Sequence, residues 1–437
     1  MTYKEAIEKI NSLLVFGSKP GLERVRELVE RAGSPQKKLR FIHVAGTNGK
    51  GSVCAMLSSV LRCAGYKTGL FISPYVLEFR ERFQINGEMI PEETLAEIVD
   101  KLFPIVEQMK NEGKIITEFE LVLAVGLEWY AQENCDVVVL ETGLGGRFDA
   151  TNIIDTPLAS VIMSISLDHT AILGDTYEKI AFEKCGIIKP GGITILYGDQ
   201  PEGVREVVEK AANEKNNRLM IADKNSVRKI DVSLDGTRFV FSSDCFNKGT
   251  ELEFKIPFIG EHQIKNAAAA LYTISALRDN GMNIPTSKVA EGLKNAVFPA
   301  RMEVFGKAPV IILDGAHNPG GTHALSAAIS ELLHDKHIIG IAGMLADKDV
   351  KGALAELVPL FDRIITVTPD NPRAMQASEL SKIVSSFGVS SQAEDDYKTA
   401  FEKAMSYTDS NGAIVVFGSL YLASDMRRVI TSYFENN

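Results

Sequence analysis

Short apolar runs alternate along the chain with longer segments in which apolar residues recur at helical spacing. Four of the runs are continuously apolar, as strands buried on both faces of a parallel sheet are. These strands are predicted over residues 41–45, 68–72, 136–140 and 158–165. Helices are predicted over residues 2–13, 21–32, 53–61, 91–112, 118–133 and 176–185. Residues 16–20 join the first two helices, and Pro104 interrupts the fourth. The pattern predicts an α/β fold.

The middle of the chain has a different pattern of apolar and polar residues. After a further strand at residues 193–197, residues 226–257 alternate apolar and polar positions, which predicts a small antiparallel sheet. An alanine-rich helix follows over residues 263–277. Residues 75–87 are polar and irregular, and an irregular segment of that length in a compact domain is usually functional.

The strand and helix alternation restarts beyond residues 296–301. Strands are predicted over residues 309–313, 337–342, 363–367 and 413–417. Helices are predicted between them, over residues 320–334, 349–360, 376–387 and 395–409. This is the pattern of a second, smaller doubly wound domain. Because 437 residues exceed the usual length of a chain with a single hydrophobic core, we predict two domains, residues 1–297 and residues 298–437.

Composition and charge exclude several classes of protein. A net charge of −10 disfavours a general nucleic-acid surface. No apolar run is long enough to span a bilayer, and the N-terminus begins an amphipathic helix rather than a signal peptide. The five cysteines are scattered and form no CxxC pair, which favours reduced thiols. We therefore expect a cytoplasmic protein that binds neither nucleic acid nor membrane.

A glycine-rich turn, GTNGKGS at residues 46–52, joins the first buried strand to its helix. Glycines let the backbone direct several N–H groups at one anion, and the helix N-terminus adds its positive end. Lys50 can reach the outer phosphates of a nucleotide, and Ser52 can offer a hydroxyl to a metal ion. The usual P-loop runs Gly-Lys directly into Ser or Thr, whereas Gly51 intervenes here. A solvated lysine on a glycine turn is the alternative.

Candidate ligands stand at the ends of the predicted strands. Ser73 follows the second strand, Glu141 ends the third, and His169 follows the fourth. In open α/β sheets ligands bind beyond the carboxyl ends of the strands, so these side chains and the glycine-rich turn converge. Hard oxygen ligands and one imidazole around a triphosphate suit Mg²⁺.

Single residues carry less information. Isolated histidines usually fill a core or a surface, and His43, His323, His334 and His337 are interpreted so. His169 and His317 differ, because each stands at the carboxyl end of a predicted strand, near an aspartate. Taken by itself, Lys184 is interpreted as a helix-surface lysine, and a linker charge is one interpretation of Arg301 that composition does not decide.

Several motifs occur in one order that resembles the Mur ligase superfamily. They are GTNGKGS, SP, ETGLGGRFDATN, LDH, FEKCGIIKP, GEHQIKNAAAA, a proline-flanked arginine, DGAHNP and GSLYLASDMR. Within the superfamily they most closely resemble bifunctional dihydrofolate synthase/folylpolyglutamate synthases, over residues 16–428. Cell-wall Mur ligases place a UDP-sugar domain before the P-loop, and 45 residues are too few for one. The resemblance implies a P-loop-type doubly wound domain, a Rossmann-like second domain and a monomer.

The resemblance also implies an ATP site and two Mg²⁺ sites. Residues that match ATP-contacting positions are Gly46, Thr47, Asn48, Gly49, Lys50, Gly51, Ser52, Asn266, Arg301 and Asp314. Residues that match metal ligands are Ser52, Ser73, Glu141, His169 and Lys184. Lys184 matches a lysine that is carbamylated in the family, which turns a cation into a carboxylate-like ligand. Lys50, Lys184, Asp314 and His317 match catalytic positions.

Other residues match the pterin and glutamate sites of the family. They are Gly21, Leu22, Glu23, Arg24, Thr117, Glu118, Phe119, Glu120, Phe148, Asp149 and Ala150, with His317 near the glutamate and the reacting carboxylate. One departure is Tyr75, where related sequences often have histidine.

Three functions remain open from the sequence. The first is an ATP-dependent ligase that adds L-glutamate to dihydropteroate, to reduced folates or to both, through an acyl phosphate. The second is another Mur-type ligase with a different carboxylate acceptor, which the missing N-terminal domain disfavours. The third is a non-catalytic nucleotide-gated module, which the joint presence of Lys50, Glu141, His169, Lys184 and Asp314 disfavours.

Overall fold

The computed structural model describes residues 1–17 and 21–436, and it contains two large sheets. The first sheet has eight strands in the order β4-β3-β2-β5-β1-β6-β7-β8. Its strands are β1 (Phe41–Ala45), β2 (Thr68–Phe71), β3 (Phe83–Ile85), β4 (Glu88–Met89), β5 (Val137–Glu141), β6 (Ala159–Ile162), β7 (Ile193–Tyr197) and β8 (Arg218–Ala222). Strands β2, β5, β1, β6, β7 and β8 run parallel, and β3 and β4 form an antiparallel edge.

Helices cover both faces of this sheet, so its central strands are buried along their whole length. They are α1 (Tyr3–Asn11), α2 (Glu23–Arg31), α3 (Lys50–Cys63), α4 (Glu92–Asn111), α5 (Glu118–Gln132), α6 (Thr170–Leu173), α7 (Tyr177–Lys184), α8 (Val204–Glu214), α9 (Asp244–Asn247), α10 (Glu261–Asp279) and α11 (Thr286–Lys294). A three-stranded antiparallel sheet packs on α10. It comprises β9 (Val227–Ser233), β10 (Gly236–Phe241) and β11 (Leu252–Ile256).

The second large sheet has six strands in the order β12-β13-β17-β14-β15-β16, and only β12 is antiparallel to its neighbour. Its strands are β12 (Glu303–Lys307), β13 (Val310–Leu313), β14 (Ile338–Ala342), β15 (Arg363–Thr366), β16 (Ser390–Ala393) and β17 (Ala413–Phe417). Its helices are α12 (Pro319–Leu332), α13 (Val350–Leu354), α14 (Ala377–Ser385), α15 (Tyr397–Ser406) and α16 (Leu420–Asn436). The predicted α/β architecture is confirmed.

Several local predictions were wrong. Residues 75–87 are not irregular throughout, because they contain a 3₁₀ turn and the strand β3. Pro104 does not interrupt α4, since proline keeps a helical φ and its neighbours Leu102 and Phe103 are buried. The helix predicted over residues 349–360 ends at Leu354, and Pro359 lies in a separate 3₁₀ turn.

Two further differences concern the predicted strand and loop bounds. The fourth predicted strand is limited to β6, which ends seven residues before His169. The predicted joint at residues 16–20 includes residues 18–20, which lie outside the described part of the chain. Over the described residues, no helix combines the length and the apolar character that crossing a bilayer requires.

Candidate active site

A cavity of about 740 Å³ lies at the carboxyl ends of the parallel strands, between the two large sheets. Every residue predicted to bind ATP or metal lines it, and so does His317. These residues are Gly46, Thr47, Asn48, Gly49, Lys50, Gly51, Ser52, Ser73, Glu141, His169, Lys184, Asn266, Arg301, Asp314 and His317. The predicted convergence of strand ends therefore describes one site with walls from both domains.

The glycine-rich turn joins β1 to the N-terminus of α3. Gly49 has a φ of 84° at the start of the helix, where a Cβ would lie 2.6 Å from the Oδ1 atom of Asn266. Asn266 is therefore packed directly against the turn. The Lys50 Nζ atom donates a hydrogen bond to the Thr47 carbonyl oxygen at 3.2 Å. The free N–H groups of the helix start and the lysine together suit an anion.

Gly51 explains the departure from the usual P-loop spacing. A Cβ at this position would lie 2.5 Å from the Cε1 atom of Phe298 and closer still to Cζ. Phe298 belongs to the segment between the two domains and is half-buried. The extra residue in the turn is a glycine because the ring of the interdomain segment rests on it.

Glu141 ends β5 as a buried carboxylate whose negative charge is only weakly offset by nearby positive charges. Its Oε1 atom lies 3.9 Å from Lys50 Nζ, and Oε2 accepts a hydrogen bond from the backbone N–H of Ser73 at 3.2 Å. Burial raises the pKa of Glu141, and Lys50 opposes that shift. Burial of this anion outweighs the effect of Lys50 and Arg301, which fits a position beside a bound cation.

Ser52 belongs to a buried polar chain that the sequence reasoning missed. Gln263 Nε2 donates to Ser52 Oγ at 3.4 Å, and Asn266 Nδ2 donates to Gln263 Oε1 at 3.0 Å. All three side chains are buried. The motif GEHQIKN contained the signal, since Gln263 and Asn266 lie three residues apart on α10 and share a face.

Lys184 is a buried amine rather than a surface lysine. It is 3% exposed, and its Nζ atom donates to the Gly46 carbonyl oxygen at 2.8 Å. Burial lowers the pKa of Lys184 to about 7, with a further contribution from the positive charge of Lys50. A large fraction of Lys184 is therefore neutral near pH 7.

His169 lines the same cavity and lies at the start of α6. Its φ is 51°, and its side chain is 41% exposed. Burial of the ring lowers the pKa of His169, although the neighbouring Asp168 opposes the shift. The described residues contain no group of three or more histidine, cysteine, aspartate or glutamate side chains that could hold a metal unaided.

The second domain supplies Arg301 and Asp314. Asp314 accepts hydrogen bonds from the backbone N–H groups of Met302 (2.8 Å) and Ala316 (2.7 Å). The Arg301 guanidinium lies 5.1 Å from the centre of the Phe298 ring. Burial raises the pKa of Asp314, and Arg301 opposes the shift.

Four side chains connect the domains across the cavity. Asn48 and Asn318 exchange two amide hydrogen bonds, at 3.3 and 3.2 Å. Asp168 accepts from Lys348 at 2.6 Å and from Asn318 at 3.1 Å. Sequence reasoning assigned no role to Asp168, Asn318 or Lys348. Asp168 and Asn318 stand in the motifs LDH and DGAHNP, whereas nothing in the sequence around Lys348 marks it.

The residues predicted to bind the pterin do not line the cavity. Two of their segments meet, since Arg24 and Glu120 form an ion pair of 3.0 Å. Thr117 and Glu120 cap α5. Phe119 packs under the loop after Glu141, where a Cβ on Gly143 would lie 2.7 Å from the ring.

The third pterin segment follows Glu141. Phe148 is 46% exposed, whereas Asp149 and Ala150 are buried. Asp149 accepts hydrogen bonds from the Leu144 N–H at 2.7 Å and the Thr151 N–H at 3.0 Å. The structure thus gives Asp149 a role in holding the loop.

Two family profiles cover most of the chain. The Mur ligase middle domain matches residues 44–274, and the Mur ligase glutamate ligase domain matches residues 300–420. The dihydrofolate synthase/folylpolyglutamate synthase of Bacillus subtilis is 35% identical over 433 residues, which is 98% of each chain. The Escherichia coli protein of the same name is 32% identical over 410 residues, covering 94% of this chain and 91% of its own.

Solved structures agree with these matches. The Thermotoga maritima folylpolyglutamate synthase superposes with a TM-score of 0.85 at 33% identity, covering 99% of this chain and 97% of its own. The Mycobacterium tuberculosis folylpolyglutamate synthase complexed with ADP gives 0.88 at 28% identity, with 98% and 99% covered. Escherichia coli FolC in complex with DHPP and ADP gives 0.85 at 28% identity, with 99% of each chain covered. The chain belongs to the Mur ligase family and, within it, to the dihydrofolate synthase/folylpolyglutamate synthases.

Proposed function

We propose that this protein uses ATP to add L-glutamate to 7,8-dihydropteroate and to the glutamyl tail of reduced folates. The observation that carries the proposal is the single cavity that joins the phosphate-type turn to Arg301, Asp314 and His317 of the second domain. The names of the relatives indicate the same acceptors. A ligase for folates alone is the narrower form of the same proposal.

The reaction requires two anions to meet, a triphosphate and the acceptor carboxylate. The carboxylate attacks the γ-phosphoryl group, and ADP leaves as an acyl phosphate forms. The amine of L-glutamate then forms the amide bond, and phosphate leaves. Lys50 and the N-terminus of α3 stabilise the phosphoryl oxygens, and Arg301 reaches the nucleotide from the second domain. Water must be excluded from the acyl phosphate, which a cavity between two domains favours.

Ser52, Ser73 and Glu141 line the cavity with hard oxygen atoms that fit one Mg²⁺ ion. His169 and Lys184 line the same cavity and would hold a second Mg²⁺ ion once Lys184 carries a carbamate. Mg²⁺ commonly takes one or two carboxylates and completes its coordination with substrate phosphates and water, so a smaller protein ligand set is sufficient. When bound, Mg²⁺ offsets the charge repulsion between the two anions.

The Lys184 amine fits the carbamate that the resemblance implies. Carbamylation requires a neutral amine, and the lowered pKa of about 7 supports one near neutral pH. A carbamate would give this buried position an anionic oxygen ligand beside His169.

The remaining assignments are also proposals. We assign residues 1–297 to the ATP and pterin domain and residues 298–437 to the glutamate-side domain. We assign the pterin site to the Arg24, Glu120 and Phe148 segments, which adjoin the loop after Glu141. Five free cysteines support a cytoplasmic enzyme. We expect a monomer, which a sedimentation measurement would check.

Phosphate release with Mg-ATP and L-glutamate tests the proposal, with either 7,8-dihydropteroate or tetrahydrofolate as acceptor. Turnover with both supports the bifunctional enzyme, and turnover with tetrahydrofolate alone supports the narrower form. The variants Lys50→Ala and Glu141→Ala should lose turnover while circular dichroism stays unchanged. Near-normal turnover in either folded variant contradicts the assigned roles. If the wild-type protein turns over neither 7,8-dihydropteroate nor tetrahydrofolate, the proposed function is wrong.

A further inference from the structure

His43 is a buried side chain of β1 that the proposed mechanism does not use. It is fully buried, and it is not among the described residues that line the cavity. Its Nε2 atom lies 2.8 Å from the Thr151 hydroxyl oxygen, and that hydroxyl donates to Asp149 Oδ1. A hydroxyl has one proton, so its oxygen accepts from His43 and Nε2 carries the ring proton. The three side chains form a buried polar chain from the central sheet to the loop after Glu141.

The other nitrogen of the His43 ring makes this residue a costly way to fill the core. Its Nδ1 atom is buried and has no hydrogen-bond partner among the residues that the structure describes. A buried polar atom without a partner costs free energy, whereas a leucine at the same position would have no such atom. We therefore attribute the histidine to its one hydrogen bond, which is directed at Thr151.

The far end of the polar chain determines the shape of the loop over residues 143–152. Asp149 accepts from the backbone N–H groups of Leu144 at 2.7 Å and Thr151 at 3.0 Å. One carboxylate therefore ties the beginning of the loop to its end. The same loop contains Phe148 and Ala150, which belong to the segment that the proposed function assigns to the acceptor. The position of that segment thus depends on how Asp149 is held.

The opposite side of the loop is packed against the turn that follows Lys184. Asn152 Nδ2 donates to the carbonyl oxygens of Arg147 and Gly186, each at 3.1 Å. Gly186 has no room for a Cβ, because that atom would lie 2.1 Å from Arg147 Cα. The loop is therefore confined between this turn and the sheet, and His43 provides a hydrogen bond from the sheet.

We propose that His43 is a positioning residue for the acceptor, an inference that rests on the proposed ligase function. It acts through Thr151 and Asp149 on the loop segment over residues 148–150. The backbone of β1 is paired on both sides, with β5 and with β6, so loss of the ring leaves the glycine-rich turn in place. The effect of His43 therefore falls on binding of the acceptor and not on binding of ATP.

Steady-state kinetics with 7,8-dihydropteroate or tetrahydrofolate, ATP and L-glutamate varied in turn test the proposal. His43→Leu removes the donor, and we expect it to raise the KM for the acceptor by about tenfold. The KM values for ATP and L-glutamate should change less than about threefold. His43→Gln keeps an N–H donor near the position of Nε2, so its KM for the acceptor should stay within about threefold of the wild-type value.

Thr151→Val interrupts the same polar chain from the loop and keeps the shape of the side chain. It should raise the KM for the acceptor as His43→Leu does. The double variant should not exceed the larger single effect, because each change alone breaks the chain. Thr273→Val is the matched control, since Thr273 is also fully buried and its hydroxyl donates to the Ala269 carbonyl oxygen within α10. This control should leave the KM for the acceptor unchanged.

Urea unfolding separates positioning from a purely structural role. His43→Leu replaces an unpaired polar atom with an apolar group, so its free energy of unfolding should be no lower than that of the wild type while its KM for the acceptor rises. A structural role predicts lower stability together with an equal loss of activity towards every substrate. If His43→Leu does not fold, Thr151→Val and its control provide the same comparison.

Two results with the variants would overturn the inference. One is an unchanged KM for the acceptor in folded His43→Leu or Thr151→Val. The other is an equal rise in the KM values of all substrates, accompanied by lower stability and not reversed in His43→Gln. Wild-type protein without acceptor-dependent turnover refutes the ligase function on which the inference rests, and that failure is visible before any variant is made.

Discussion

Gly51→Ala tests why the turn departs from an ordinary P-loop. Gly51 lies in the first turn of α3, where an alanine would by itself favour the helix by up to about 1 kcal/mol. The added Cβ would lie 2.5 Å from Phe298 Cε1, whereas ordinary contact begins at 3.4 Å. The ring must therefore retreat by more than 0.9 Å, because Cζ lies closer still, or the helix must move.

Overpacking of this kind destabilises proteins by about 1–3 kcal/mol, which exceeds the helix preference. We expect Gly51→Ala to lower the free energy of unfolding by about 1–2 kcal/mol. Because Arg301 packs over the same ring, we also expect a higher KM for ATP. In the Phe298→Ala background the obstacle is absent, so Gly51→Ala should become neutral or stabilising.

Urea unfolding measures this change of sign. The chain has a single tryptophan, Trp129 in α5, whose fluorescence reports on the first domain. The wild type, the two single variants and the double variant form a complete cycle. Equal effects of Gly51→Ala with and without Phe298, or a stabilising effect in the wild-type background, would refute the steric explanation.

Two further predictions concern buried titratable groups. The pKa of Lys184 falls from 10.5 to about 7 on folding, so the unfolded chain binds more protons between these values and stability should rise with pH across that window. Lys184→Met should remove this slope and abolish ligation. In bicarbonate-free buffer it should stabilise the protein near pH 7 by roughly 3–5 kcal/mol. A steeper slope of stability against pH in the variant would contradict the assignment. Burial lowers the pKa of His43 from 6.5 to about 3, so stability should fall as the pH decreases from 6.5 towards 3. His43→Asn should reduce that dependence in acid unfolding followed by circular dichroism, and an unchanged acid slope would show that His43 does not contribute.

Sequence reasoning located the ATP and metal side of the site because strand ends have a fixed geometry. Once residues 41–45 and 136–140 are parallel strands, Lys50 and Glu141 must emerge at the same edge of the sheet. The cavity confirms that they lie close together. The family resemblance was needed for Lys184, because helical spacing alone does not show that its amine is buried under Gly46.

Strands without an apolar signal were harder to predict. The strand β16 reads Ser-Ser-Gln-Ala and is a strand because it pairs with β15 along one edge. The strand β3 pairs with β2 and follows a turn in which Glu81 accepts from the N–H groups of Val76 and Leu77. Both depend on long-range pairing, which local propensity does not encode.

Contacts between the domains were beyond sequence reasoning for a related reason. Each of the two large sheets is predictable separately. Their relative placement depends on the contacts between domain surfaces, which the periodicity of the sequence does not encode. Lys348 follows β14 on the second sheet and reaches Asp168 across 180 residues of chain. Only the folded arrangement makes this pair visible.

The glycine-rich turn contacts the rest of the molecule at two points that belong to the other side of the cavity. Phe298 of the interdomain segment rests on Gly51, and Asn318 of the second domain exchanges two hydrogen bonds with Asn48. A movement of the second domain would therefore change the surroundings of the turn directly. Since Asn318 also donates to Asp168, the same movement would change the contacts of that carboxylate. A nucleotide bound at the turn is thus expected to favour one placement of the second domain, because the surroundings of the turn depend on that placement.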